Sequence, residues 1–153
     1  MIFKLKFKQW NNYILKFKRI NIPSRYDKLT KIKKKEIKSR EAVIAFSIRA
    51  ATIGKELFLI NDVFFEEAIA EAEAADELIS NCKDESLLPP LIGLPMTIKD
   101  VVLYKGKNCT LGYKFLAGKK ATYDSHFVAV LKKAGAIPIC YTNIPQGLFA
   151  CES

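Results

Sequence analysis

Lys99 has the sequence surroundings of a reactive group. It closes the run Met96-Thr97-Ile98-Lys99, where alternation puts Met96 and Ile98 on one face of a short strand and Thr97 and Lys99 on the other. Asp100-Val101-Val102 follow, so apolar sequence lies on both sides of the lysine. A lysine drawn partly into such surroundings loses solvation of its ammonium, its pKa falls, and it becomes a base. The plainer reading is a surface lysine at a strand end, one of twenty-one lysines in the chain.

Other reactive side chains offer less. His126, the single histidine, falls in the first turn of a helix and reads as structural. Cys140 follows a β-rich run and is expected at its exposed end, with no histidine beside it to activate the thiol. The pairs Glu66/Glu67 and Asp84/Glu85 fall at a helix start and in a loop, where solvation accounts for them. Gly106, Gly112 and Gly118 do not build a GxxxxGK[ST] or GxGxxG phosphate loop, and no G-x-S-x-G occurs. Cys82, Cys109, Cys140 and Cys151 are widely spaced, which speaks against a zinc site or a disulfide framework and fits free thiols in a reducing compartment.

The elements that must position these groups follow from periodicity. Ser39 is read as the cap of a helix through Thr52, with Val43, Ile44, Ile48 and Ala51 on its buried side and Gly54 at its end. Asp62 is read as the cap of a second helix running to Ile79, with Phe65, Ala68, Ala72, Ala75 and Ile79 as its packing stripe. Val101–Tyr104 is expected to continue the lysine strand in extended form. A third helix spans about 125–134, capped by Asp124 or Thr122, with Phe127, Val130, Leu131 and Ala134 as its apolar face. Ala136–Tyr141 is a strand whose Pro138 marks an edge or a bulge. Helix, helix, strand, helix, strand predicts an α/β fold.

The chain has 153 residues, half of them apolar and 27% charged, a globular balance. No apolar run approaches the roughly 18 residues of a membrane-spanning helix. The net charge of +9 is unevenly placed. Residues 1–40 carry fourteen Lys/Arg and two acids, whereas residues 41–153 carry eleven Lys/Arg and fourteen acids. The body is therefore mildly acidic, which argues against a nucleic-acid face on it. In the N-terminal stretch, Phe3, Phe7, Trp10, Ile14 and Phe17 recur at helical spacing, with lysines mostly outside the stripe. Residues 1–22 read either as an amphipathic helix on an anionic membrane surface or as a solvated tail. Residues 23–40 read as a linker.

The run LIGLPMTIKDVVLYKGKNCTLGYKFLAGKKATYDSHFVAVLKKAGAIPICYTNIPQGLF resembles the N-terminal part of an amidase-signature enzyme. The motifs G-x-P-x-x-x-K-[DE], K-G, T-L-G, A-T-x-D-S, K-x-x-G-A-x-P and T-N-x-P occur in order, and TNIPQGLFACES is nearest the fatty-acid amide hydrolase branch. The resemblance covers residues 36–153 and leaves 1–35 as a basic extension. It implies part of an α/β/α sandwich around a mixed sheet, incomplete in this chain. It also implies hydrolysis of amides by a serine nucleophile, a second serine with a cis peptide bond, and a lysine base at Lys99. Leu148 and Phe149 fall where the fatty-acid branch lines its acyl channel, with core packing as the alternative for that pair. The family uses no cofactor and no metal.

In that family both serines follow the T-N-x-P segment. The expectation is therefore an N-terminal portion that carries the base without its nucleophile and turns over no amide alone. The complete enzyme would take a fatty-acid amide or another small amide, and the protein would sit on the cytoplasmic side, peripheral to a membrane. The alternative is a non-catalytic membrane-surface or partner-binding protein derived from such a fragment.

Overall fold

The computed structural model describes residues 25–149; the amphipathic stripe of residues 1–22 lies outside the described residues. Helices α1 (Arg25–Lys33), α2 (Ser39–Arg49), α3 (Phe65–Asn81) and α4 (His126–Lys133) accompany strands β1 (Ile60–Val63), β2 (Pro95–Lys99) and β3 (Ile137–Thr142). The strands form one mixed sheet in the order β1-β3-β2, with β1 antiparallel and β2 parallel to the central β3. This is the α/β arrangement that the alternation of elements predicts.

Two apolar clusters flank the sheet. On one face Val43, Ile44 and Ile48 of α2 and Ala68, Ala72 and Ile79 of α3 pack with Ile137 and Ile139 of β3. On the other, Val128 of α4 meets Ile98 of β2, Tyr141 of β3, Phe64 and Tyr104. Each large aliphatic side chain so buried stabilises the fold by roughly 1.5–3 kcal/mol. The small residues of the α3 stripe let α2 approach closely, as their spacing predicts.

The start of α2 departs from expectation. Ser39 is not its cap. Asp76 of α3 takes that role, accepting from the Ser39 and Arg40 backbone amides at 2.7 and 3.0 Å. With its amides served by a neighbouring helix, the Ser39 hydroxyl is free to turn inward, where it is fully buried and donates to the Gly93 carbonyl at 2.8 Å. Gly93 has φ +72°, and a Cβ there would stand 2.7 Å from the Ser39 Oγ. Both the turn and the contact require glycine. The helical chain also runs on past Arg49 as a π-helical stretch, Ala50–Gly54.

Other readings are corrected by pairing across the sheet. Asp62 lies in β1, opposite Tyr141, and α3 begins only at Phe65. A four-residue strand is too short for periodicity to declare itself. Val101–Tyr104 does not extend β2, because the Val101 and Val102 amides fold back onto the Lys99 carbonyl at 2.7 and 3.0 Å. Pro138 sits in the central strand, not at an edge; its missing N–H is absorbed by a register shift in which Met96 faces Pro138 and Thr97 faces Cys140. Cys140 is wholly buried in that strand, and desolvation pushes its thiol pKa up to about 12.

The third helix is capped by Ser125, whose Oγ accepts from the Val128 amide at 3.4 Å, while Asp124 accepts from the Lys105 amide at 2.7 Å. Its buried contact is Val128; Phe127 and Val130 remain 56% and 50% exposed. The apolar face expected at Phe127, Val130, Leu131 and Ala134 is thus largely uncovered. The linker reading of 23–40 is also corrected, since residues 25–33 are helical and Ile32 is buried in the first cluster.

Candidate active site

Parallel β2 and β3 end at the same end of the sheet, where Lys99 is in register with Thr142. Ligands of open α/β sheets gather at the carboxyl ends of strands, because the loops that leave there can be varied without disturbing the sheet. Two loops leave here, residues 100–113 after β2 and residues 143–149 after β3.

Lys99 is the last residue of β2 and its side chain is exposed. It faces away from buried Ile98, as alternation requires. The expected partial burial is not seen: Lys99 is exposed at the end of an outer strand of the sheet. Its ammonium makes no ion pair or hydrogen bond with the described residues. The group is held by its backbone and open at its tip.

The backbone is held by Asp100, which is 0% exposed. One carboxylate oxygen accepts from the Thr110 amide at 2.8 Å, and the other accepts from the Thr110 hydroxyl and the Asn61 side-chain amide in two short contacts. The Asp100 amide donates to Thr142 O at 3.2 Å, and its carbonyl accepts from the Leu111 amide at 3.2 Å. One residue thereby joins β1, β2, β3 and the Thr110 loop. A buried carboxylate needs such partners, since an unpaired one costs several kcal/mol.

The loops are locked to each other in the same way. The Gly147 amide donates to Leu111 O at 2.8 Å. Gly112 has φ +75°, and a Cβ there would lie 2.9 Å from the Gln146 Cα, so the T-L-G loop can rest on the 144–147 turn only with glycine. Beneath, the Tyr141 hydroxyl donates to Val102 O at 2.7 Å, and Phe64 stacks edge-on against Tyr141 and Tyr104 at 5.1 and 5.4 Å. Burial raises the Tyr141 pKa, with the Cys109 and Asp100 charges adding to it. Desolvation, then the Asp100 charge, raises that of Cys109. These groups stay protonated and neutral at physiological pH.

Three serine hydroxyls among the described residues are held in structural hydrogen bonds. Ser39 is tied to Gly93, Ser80 donates to Asp76 O and Ser125 caps α4, whereas the Ser47 hydroxyl is buried in α2 without a hydrogen-bond partner. His126 is exposed at the first position of α4. Leu148 and Phe149 follow the Pro145 turn and are 48% and 92% exposed, so neither packs in the core of the described residues. Among the described residues no group of three His, Cys, Asp or Glu side chains converges as a metal site.

Sequence reasoning singled out Lys99 but passed over Asp100, Asn61 and Thr110. Asp100 had a legible signal: it shares strand parity with Met96 and Ile98, so alternation carries a carboxylate onto the buried face. Asn61 and Thr110 had none, because only the folded chain brings them to Asp100.

A family profile described as amidase matches residues 41–153, which include the whole of this strand-end cluster. The chain belongs to the amidase family. It is 34% identical to an amidase of Gibberella moniliformis over 144 residues, spanning 92% of this chain and 27% of that protein. It is 36% identical to an acetamidase of Aspergillus oryzae over 117 residues, 76% of this chain and 21% of that protein. Among solved structures, fatty acid amide hydrolase superposes with a TM-score of 0.76 at 26% identity, over 83% of this chain and 22% of its own. The peptide amidase of Stenotrophomonas maltophilia, at 22% identity and a TM-score of 0.73, shares the fold. This amidase-family chain thus spans about a quarter of the length of the relatives it matches.

Proposed function

We propose that this chain contributes the lysine base of an amide-bond hydrolase whose serine nucleophile and oxyanion donors lie outside its 153 residues. The observation that carries the reading is the fixing of Lys99 at the carboxyl end of β2 by buried Asp100, with the amine left free. A base must meet the proton it takes at hydrogen-bond distance, so its main chain must be held while its tip stays accessible. Lys99 would take the nucleophile's proton through a second serine and return it to the leaving amine. Without an oxyanion hole and a nucleophile, no acyl-enzyme forms.

Leu148 and Phe149 lie on the loop that β3 sends to the same end of the sheet, and their exposure suits an apolar wall that acyl chains or further protein cover. The substrate is then an amide with an apolar acyl group. Residues 1–22 would hold the protein peripherally to the cytoplasmic side of an anionic membrane, a reading that rests on their sequence pattern.

The test is amide hydrolysis by the 153-residue chain alone and in a polypeptide where it is followed by the corresponding remainder of the Gibberella moniliformis amidase. The chain alone is expected to be silent and the joined protein active. Lys99→Ala in the joined protein is expected to lower kcat by about 100-fold or more, and unchanged turnover would remove Lys99 from the mechanism. The membrane reading is checked by co-sedimentation with phosphatidylserine vesicles: loss of binding in high salt supports it, and absence of binding at low salt excludes it.

A further inference from the structure

Phe58 holds a position that a helix ordinarily gives to glycine. The helical chain continues from the π-helical stretch to Glu56. It closes with the Leu59 amide donating to Gly54 O at 2.7 Å and the Phe58 amide donating to Lys55 O at 3.1 Å. This pair of bonds puts the residue between them and the next element in the left-handed region, and Phe58 has φ +54°. A residue with a Cβ is strained there, whereas glycine is not. Core packing does not offset the strain, because Phe58 is 80% exposed. Such an outlier points to a side chain placed for what it meets outside the core.

Phe58 borders a groove of about 750 Å³ between the π-helical turn and β1, walled by Ala51, Thr52, Ile60, Asn61 and Asn143 as well. π-Helical turns are rare and recur at functional sites. Here the turn brings Gly54 so close to β1 that a Cβ would stand 2.7 Å from Cγ1 of Ile60. The other side is fixed by the Asn143 amide, which donates to Leu59 O at 2.8 Å.

Two links join this groove to the lysine. Ile60 pairs with Thr142 and Thr142 with Lys99, so the three side chains form one row on one face of the sheet. Neighbouring strands lie about 4.8 Å apart, which puts Ile60 about 10 Å from Lys99 along that row. Asn61, on the groove wall, donates to the Asp100 carboxylate that anchors Lys99. An amide whose carbonyl carbon is served by Lys99 therefore reaches Phe58 with a substituent a few bonds long. Resting on the function proposed above, we infer that the groove binds an apolar substituent of the amide substrate, with Phe58 as a specificity-determining residue. An aryl group fits this role, offset-stacked on the Phe58 ring. Acetamide is too short to arrive.

The experiment uses the joined protein and two isomeric probes. 4-Phenylbutanamide carries its ring on the acyl side, and N-(2-phenylethyl)acetamide carries it on the amine side. The ratio of kcat/KM for each probe to that for acetamide is measured. Phe58→Ala is expected to lower this ratio about tenfold for one isomer, which assigns the groove to the acyl or the amine side. Phe58→Tyr, which keeps the ring, is expected to restore it. Phe58→Gly is expected to lose the same preference while raising the urea midpoint of the 153-residue chain by about 0.5 M, because glycine relieves the left-handed strain. A Phe58 that served only the fold would give a lower midpoint. Calorimetric binding of the two probes to the joined protein is expected to weaken about tenfold in Phe58→Ala. Three results overturn the groove: a preference indifferent to Phe58→Ala, no binding of either probe because the remaining residues of the joined protein fill the space, or a lowered midpoint in Phe58→Gly. Binding that depends on Phe58 in a joined protein that hydrolyses no amide leaves the groove standing and contradicts the proposed function instead.

Discussion

Asp100 concentrates more of the fold than any other single side chain near Lys99. Replacing it by alanine orphans the Thr110 amide and hydroxyl and the Asn61 amide, and is expected to cost about 3 kcal/mol or more in urea unfolding. Asp100→Asn keeps an acceptor for Thr110 but turns a donor toward Asn61, so it should fall between the two; equal stability of all three proteins would refute the clamp. Cys140 gives a pH signature. Its folded pKa lies above the unfolded value of 9.0, at about 12, so its contribution is fully present below pH 9 and is lost as pH rises toward 12. The thermal midpoint should therefore decline in that window, less steeply in Cys140→Ala, and a thiol reagent at pH 8 should reach Cys140 only after denaturation. Lys99 was legible from strand alternation and motif; its exposure was not, because what covers the face of an outer strand is decided by distant elements.

At the scale of elements, stability rests on one helix serving another. Asp76→Ala removes the acceptor for two amides at the start of α2 and should destabilise the chain by about 1–2 kcal/mol in chemical denaturation; an unchanged midpoint would show that water replaces the carboxylate without loss. Long-range ion pairs tie the same helix to the second cluster. Lys107 meets Glu67 at 2.5 Å with its ammonium 4.8 Å from the Phe64 ring, and Lys132 meets Glu71 at 3.1 Å. Burial lowers the Lys132 pKa, but the Glu71 charge and Tyr104 outweigh it, leaving the group above its ordinary value. The helices at α2, α3 and α4 were readable because their small or apolar residues repeat at helical spacing. β1 was not, since Ile60–Val63 holds only two apolar residues and owes its form to pairing with β3. Neither was the Asp76 cap, which lies 36 to 37 residues from the amides it serves.

At the scale of the whole molecule, the described residues form a three-stranded sheet with uncovered apolar rims, Phe127 and Val130 among them, and the chain spans about a quarter of the length of the amidases it matches. In isolation it should bind an apolar dye and self-associate at micromolar concentration. A cooperative thermal transition with a monomeric scattering mass and no dye binding would show instead that the rims are closed. The family was legible because the motifs around Lys99 and the T-N-x-P turn are also the contacts that lock the strand-end loops together. The most direct measurement is labelling by a fluorophosphonate probe, followed by mass spectrometry of the labelled peptide. For the 153-residue chain alone the account predicts no labelled serine, and in the joined protein one labelled serine outside these residues that Lys99→Ala suppresses. Stoichiometric labelling of a serine within the 153 residues, lost on Lys99→Ala, would contradict it.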